Sequence, residues 1–243
     1  MIIADHPPSL RPGVFVERPN RFLTRILLDG PPGRPMGDPV EAHLPDPGRL
    51  RELLVPGRRV WVRPVPSSAV AKRRTRFTLV LVETPDGSGW VSVDTTLPNR
   101  MVGEALARGD LDEFEGWLLD RAEVRHGASR FDFRLIRDEE PLFLEVKSVT
   151  LVEDGRALFP DAVTARGARH LGELAELARS GTATAVLFVA QRDDVREIEA
   201  ARTIDPTFAE ALAAARRAGV AVHGRRCRVS PDGVELLGRV PVL

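Results

Sequence analysis

The chain has 243 residues, 43% of them hydrophobic and 29% charged, with a formal net charge of zero, as expected of a globular protein of one or two domains. No apolar run approaches the roughly 18 residues of a membrane-crossing helix, and MIIADHPPSLRPG has neither the basic nor the apolar region of a secretory signal, so a cytoplasmic protein without membrane contact is expected. The one cysteine, Cys227, excludes an internal disulfide and a cysteine-rich zinc site, and neutrality means that any nucleic-acid surface must be local.

In chain order, Val14–Val16, Phe22–Leu28, Val40–Leu44, Val60–Val62 and Phe77–Val82 read as short strands broken by Gly/Pro turns. Five strands and one helix-like turn, Arg49–Leu54, predict a small OB-like β-barrel. The texture changes after Gly89. Trp90–Val93 is strand-like, and Pro98–Arg108 and Leu111–Leu118 look helical. Strands at Phe131–Ile136 and Leu142–Val149 are joined by a polar turn at 137–141. Thr164–Arg179 is a helix capped by Thr164, with Leu171, Leu174 and Ala178 on one face. Ala185–Ala190 reads as a strand buried on both faces. Pro206–Ala218 is a helix capped by Asp205, and Val220–Val222 is a further strand. This order predicts a mixed sheet flanked by helices. The expected organisation is a two-domain α/β chain. Residues 1–84 form a nucleic-acid-binding barrel, and residues 85–243 form a domain that carries the chemistry.

That chemistry centres on Asp132 and on Glu145-Val146-Lys147. Alternation along a strand puts Phe143, Glu145 and Lys147 on one side. Asp132, between Phe131 and Phe133, stands on the preceding strand, so a hairpin can set the two carboxylates side by side. Paired carboxylates suit Mg²⁺ (or Mn²⁺), which keeps waters and accepts a phosphate oxygen. The metal activates water for phosphodiester cleavage, and a nearby amine can hold or deprotonate that water. Of 35 Lys plus Arg, only Lys72 and Lys147 are lysine. Arg stays protonated, which gives Lys147 a reason to be lysine. On spacing alone the set fits either a metal site or a structural ion pair. Pro160-Asp161 mimics a nuclease "PD" motif, but it follows the Glu-x-Lys element and is not assigned as a ligand.

Three further groups are candidates. Glu104, on the first helix of the second domain, is a third metal ligand or a solvated helix residue. Arg166 and His170, four apart, share a helical face that either contacts phosphate or is plain surface. Lys72, Arg73, Arg74 and Arg76 form the densest basic run, either a solvated loop or a DNA-binding strip with Trp61 or Phe77 available for stacking.

Several segments resemble the sugar fermentation stimulation protein family (SfsA). They are Ser129–Phe133, Glu145–Leu151 and Phe159–Leu171, with Arg21-Phe22, Pro98–Arg100 and Glu104–Leu106 in support. The resemblance implies an N-terminal OB-like domain and a PD-(D/E)xK, restriction-endonuclease-like C-terminal domain. It also implies DNA binding and a link to sugar metabolism. Two functions follow as expectations: a Mg²⁺-dependent nuclease, or a non-catalytic DNA-binding regulator of sugar-metabolism genes built on a nuclease scaffold. The family's usual His-x-Pro-Asn-Thr-Gly-x-Met reads His43-Leu44-Pro45-Asp46-Pro47-Gly48-Arg49-Leu50 here, and a structural turn is the expectation for that loop.

Overall fold

The computed structural model describes residues 10–30, 37–66, 74–127 and 129–243, together with the backbone of strand β1 (Ile2–Asp5). Five strands build the N-terminal barrel: β2 (Arg11–Asn20), β3 (Leu23–Leu28), β4 (Val40–His43), β5 (Arg59–Pro64) and β6 (Phe77–Glu83). They pair in the order β4-β3-β2-β5-β6, and a parallel contact between β4 and β6 closes the ring. Inside sit Phe15, Ile26, Leu44, Leu53, Val60 and Leu79, all buried. The five expected strands are therefore the barrel staves. Arg49–Leu54 is a tight turn, with the Leu53 and Leu54 N–H groups donating to the Leu50 carbonyl.

The C-terminal half is a seven-stranded mixed sheet. Its members are β8 (Leu118–His126), β9 (Ser129–Arg137), β10 (Glu140–Val149), β13 (Ala183–Ala190), β15 (Ala221–Val229), β16 (Gly233–Arg239) and β1, in the order β1-β16-β15-β13-β10-β9-β8. Helix α1 (Leu97–Arg108) lies on one face, with Met101, Val102 and Leu106 against Leu144, Leu187 and Val189. Helices α2 (Ala165–Arg179) and α3 (Pro206–Arg217) cover the other, with Leu171, Leu174 and Phe208 against Phe143 and Phe188. Both caps are formed as expected. Thr164 Oγ1 accepts from the Gly167 N–H, and Asp205 Oδ1 accepts from the Phe208 N–H, each contributing about 1 kcal/mol. Burial on both faces explains why β13 is continuously apolar.

Three features depart from the expectations. Leu111–Leu118 is a single 3-10 turn, Asp112–Phe114, because Leu118 already begins β8. A small sheet of β11 (Leu151–Glu153), β12 (Arg156–Phe159) and β14 (Glu197–Ala200) joins the segment after β10 to the segment after β13. Strands also cross the expected boundary at residues 84/85. β7 (Trp90–Ser92) pairs with β6 of the barrel, and β1 pairs with β16 of the C-terminal sheet. Barrel residues Val80 and Leu81, with Trp61 and Trp90, pack into the same apolar cluster as α1.

Candidate active-site cleft

Strands β9 and β10 form a hairpin whose ladder runs from Glu140↔Arg137 to Leu144↔Phe133 and then stops. Asp132 and Glu145 follow directly on the last paired residues. The next donor on β10, the Val146 N–H, is taken by Asp132 Oδ2 at 2.7 Å, so a side chain replaces the missing ladder bond. Asp132 Oδ1 accepts from Asn99 Nδ2 at 2.5 Å. Asn99 sits in the first turn of α1, where no local pattern marks it as a partner of Asp132. Burial first, and then the charge of Glu145, push Asp132 up to about 6. Asp132 and Glu145 thus stand on adjacent strands, each one residue past the last paired position of the hairpin.

Glu145 is 4% exposed. Its Oε1 lies 2.6 Å from Lys147 Nζ and 2.6 Å from His170 Nδ1. Burial pushes its pKa up, but the His170 hydrogen bond and the Lys147 charge outweigh that and hold the group below its ordinary value. Glu145 Oε2 is buried and has no partner. Arg166 Nε donates to His170 Nε2 at 3.3 Å. Arginine has no acceptor atom, so Nε2 is the imidazole's acceptor and Nδ1 carries the hydrogen. Arg166, His170 and Glu145 therefore form one line of donors ending on the carboxylate.

The other expected residues are placed as follows. His170 is 2% exposed and lies under the surface with both ring nitrogens engaged; burial corrects its expected contact with nucleic acid. Its position was readable, since Gly167, His170, Leu171 and Leu174 share the buried face of α2. Glu104 is exposed and makes no hydrogen bond or ion pair with Asp132 or Glu145. Arg74 and Arg76 are exposed on the barrel, and Lys72 and Arg73 lie outside the described residues. Trp61 and Phe77 are half-buried and packed against apolar clusters. Among the described residues, no group of three or more His, Cys, Asp or Glu converges as a metal cage.

Lys147 opens into a cleft of about 420 Å³ between the two domains, with Asp161 and Arg166 on its side and Arg21, Asp46 and Gly48 on the barrel side. The His43–Leu50 loop and Pro160-Asp161 meet here. Asp161 Oδ2 is 3.4 Å from the Leu50 N–H, and a Cβ on Gly48 would fall 2.1 Å from the same oxygen. Glycine at 48 thus lets the two walls close. Arg21 Nε and Arg18 Nη1 hold the loop through the carbonyls of Pro47 and Arg49 at 2.7 and 2.8 Å.

Asp46 is 8% exposed, and its Oδ1 accepts from the Gly48 N–H at 2.7 Å. Burial raises its pKa from 3.8 to about 6, with repulsion from Asp161 adding to that. The folded state therefore holds this proton more tightly than the unfolded chain does. Stability falls as pH rises from about 4 to about 6 and stays lower above that. Asp46→Asn keeps the acceptor and removes the charge. It is expected to raise stability at pH 7 by on the order of 2 kcal/mol and to have little effect near pH 4. Urea melts across that range check this; equal stability of the two proteins at pH 7 would refute it.

Comparison with known proteins agrees with this architecture. Residues 96–233 match the sugar fermentation stimulation protein RE domain, and residues 16–93 match the SfsA N-terminal OB domain. The chain belongs to the sugar fermentation stimulation protein family. Family members from Moorella thermoacetica and Shouchella clausii are similar at 41% and 43% identity, covering 99% and 97% of this chain and 99% and 98% of theirs. Both are described as sugar fermentation stimulation protein homologs. The solved structure of Pyrococcus furiosus SfsA in complex with Ca²⁺ aligns with a TM-score of 0.86 at 28% identity, over 100% of this chain and 99% of that one. The family match covers both the barrel and the sheet domain, so the expected OB-type barrel and mixed-sheet architecture hold together in one chain.

Proposed function

We propose that this family member is a metal-dependent phosphodiesterase acting on DNA in the interdomain cleft. The observation that carries this reading is the state of Glu145: a deeply buried carboxylate, kept ionised by Lys147 and His170, with one oxygen left without a partner. An ionised carboxylate with an open oxygen beside a second carboxylate, Asp132, is a donor set that a cation can use.

The donor set fits a hard divalent cation. Asp132 and Glu145 would hold it, since Mg²⁺ is commonly bound through one or two carboxylates with waters and substrate phosphate completing the shell. The Ca²⁺ named with the Pyrococcus furiosus relative is a hard cation of the same kind. When bound, the metal supplies charge neutralisation at the phosphate and a lowered pKa for water. The chain's own residues do the rest. Lys147 holds the attacking water beside Glu145. Arg166 and Arg21, from opposite walls, attract the phosphate backbone. His170 fixes the Glu145 carboxylate, and Asn99 with the Val146 N–H fixes Asp132. We place the protein in the cytoplasm; no described helix is long and apolar enough to cross a membrane.

The test is incubation of the purified chain with DNA and Mg²⁺ or Mn²⁺, paired with a calorimetric metal titration of wild type and Glu145→Gln. Metal-dependent cleavage, with binding lost in Glu145→Gln, is the expected result. DNA binding without metal uptake or cleavage would instead favour the non-catalytic regulator.

A further inference from the structure

The first hairpin of the barrel turns through Arg21 and Phe22, between β2 and β3. Phe22 is 51% exposed and is the only exposed Phe or Trp among the described residues. Its backbone is fixed. The N–H donates to Asn20 Oδ1 at 3.0 Å, and the carbonyl accepts from the Leu44 N–H at 2.9 Å. The ring is therefore presented to solvent by a well-bonded turn.

A groove of about 530 Å³ adjoins it, with Asn20, His43 and Arg74 supplying polar groups. Glu41 also lies on this groove, 3.8 Å from Arg25, which is shared with Glu17 at 2.5 Å; a bound strand's backbone must therefore run on the Arg74 and Arg21 side. Groove and cleft are joined by neighbouring residues: Phe22 lines one and Arg21 the other. In barrels of this type, oligonucleotides bind near the loop after the first strand and the loop between the fourth and fifth. Phe22 and Arg74 stand on those two connections.

The cleft itself has no room for a second strand. Asp46 and Gly48 line the same 420 Å³ space as Lys147. The walls touch where the Leu50 N–H meets Asp161, and Thr95 Oγ1 lies 3.5 Å from the Pro45 carbonyl. That space suits a small ligand or a single extended strand rather than a bulky one.

We infer that the chain takes single-stranded nucleic acid, with an unpaired base stacked on Phe22 and the adjoining backbone led past Arg21 towards Lys147 and Arg166. Every base has a π face, so this recognition is tolerant of sequence, and the arginines attract the backbone whatever the bases are. The event at Lys147 rests on the phosphodiesterase reading above; the strand site at Phe22 does not depend on it.

Fluorescence anisotropy on the full chain tests this, using labelled oligo-dT and oligo-U of roughly ten nucleotides and a blunt hairpin duplex of similar length. A single strand of either sugar is expected to bind about tenfold more tightly than the duplex. Phe22→Ala should lose about tenfold on the single strand and little on the duplex, while Phe22→Trp, which keeps a stacking face, retains wild-type affinity. Equal affinity for duplex and single strand overturns the proposal, as does an unchanged Phe22→Ala. Phe22-dependent binding without cleavage in any metal supports the strand site and retires the phosphodiesterase reading.

Discussion

Lys147→Ala is expected to lower metal-dependent cleavage by roughly 10²- to 10⁴-fold, the range for removal of a group that handles the reacting proton or water. DNA affinity should change little, because Arg21 and Arg166 remain on the cleft walls. The chain should still fold. Lys147 supplies one of two partners to Glu145 Oε1, and His170 Nδ1 remains at 2.6 Å. A divalent cation can then compensate the buried carboxylate, so metal affinity should hold or rise. Lys147→Arg should not restore turnover, because guanidinium stays protonated and its fork does not replace a compact ammonium. Cleavage rates within a few-fold of wild type in Lys147→Ala would remove this residue from the mechanism.

The largest expected effect on stability lies away from the cleft. Arg225, on β15, has a side chain only 9% exposed and bonds Glu113 Oε1 at 2.8 Å, Glu113 Oε2 at 2.5 Å and Asp112 Oδ1 at 2.5 Å. It also donates to the Leu237 carbonyl at 3.1 Å. The Glu113 side chain is 0% exposed. Arg225→Ala leaves that carboxylate buried and unpaired, a loss of about 3–5 kcal/mol. For a chain of this size that corresponds to roughly 10 °C in melting temperature. Replacing both members with apolar residues, Arg225→Met with Glu113→Leu, should recover most of the loss, since an absent charge pair has no desolvation cost. Thermal melts of the single and double variants check this; a double variant as unstable as Arg225→Ala would show that the loss is one of packing.

These two sites differ in how far the sequence foretold them. The β9–β10 hairpin was legible because Asp132, Glu145 and Lys147 are charges set among apolar alternation, and because α2 and α3 carry local caps at Thr164 and Asp205. These signals depend on a few neighbouring residues. β8 was not legible, since LLDRAEVRH is mostly exposed and lacks a clean alternation. In the sequence, nothing marks the arginines at 58, 59 and 63 as anything but surface charge. Arg58 instead holds the Thr84 and Pro85 carbonyls, Arg59 pairs with Asp29 and Arg63 with Asp94. Such pairings are long-range, and composition cannot reveal them. The meeting of Gly48 with Asp161 is of the same kind: each residue makes sense alone as a turn or as a stray motif. Only the closure of barrel on sheet turns them into the two walls of one site.

The crossing of β1 and β7 over the domain boundary has a mechanical meaning. The barrel is spliced into the sheet domain, entering after β1 and leaving through β7 into α1. A domain on one tether can swivel; one moored fore and aft can only shear against its host. Cutting the chain at the boundary would also strip β1 from β16, leaving an open strand edge that invites pairing with another molecule. Both moorings and the shared apolar cluster oppose any parting of the two cleft walls.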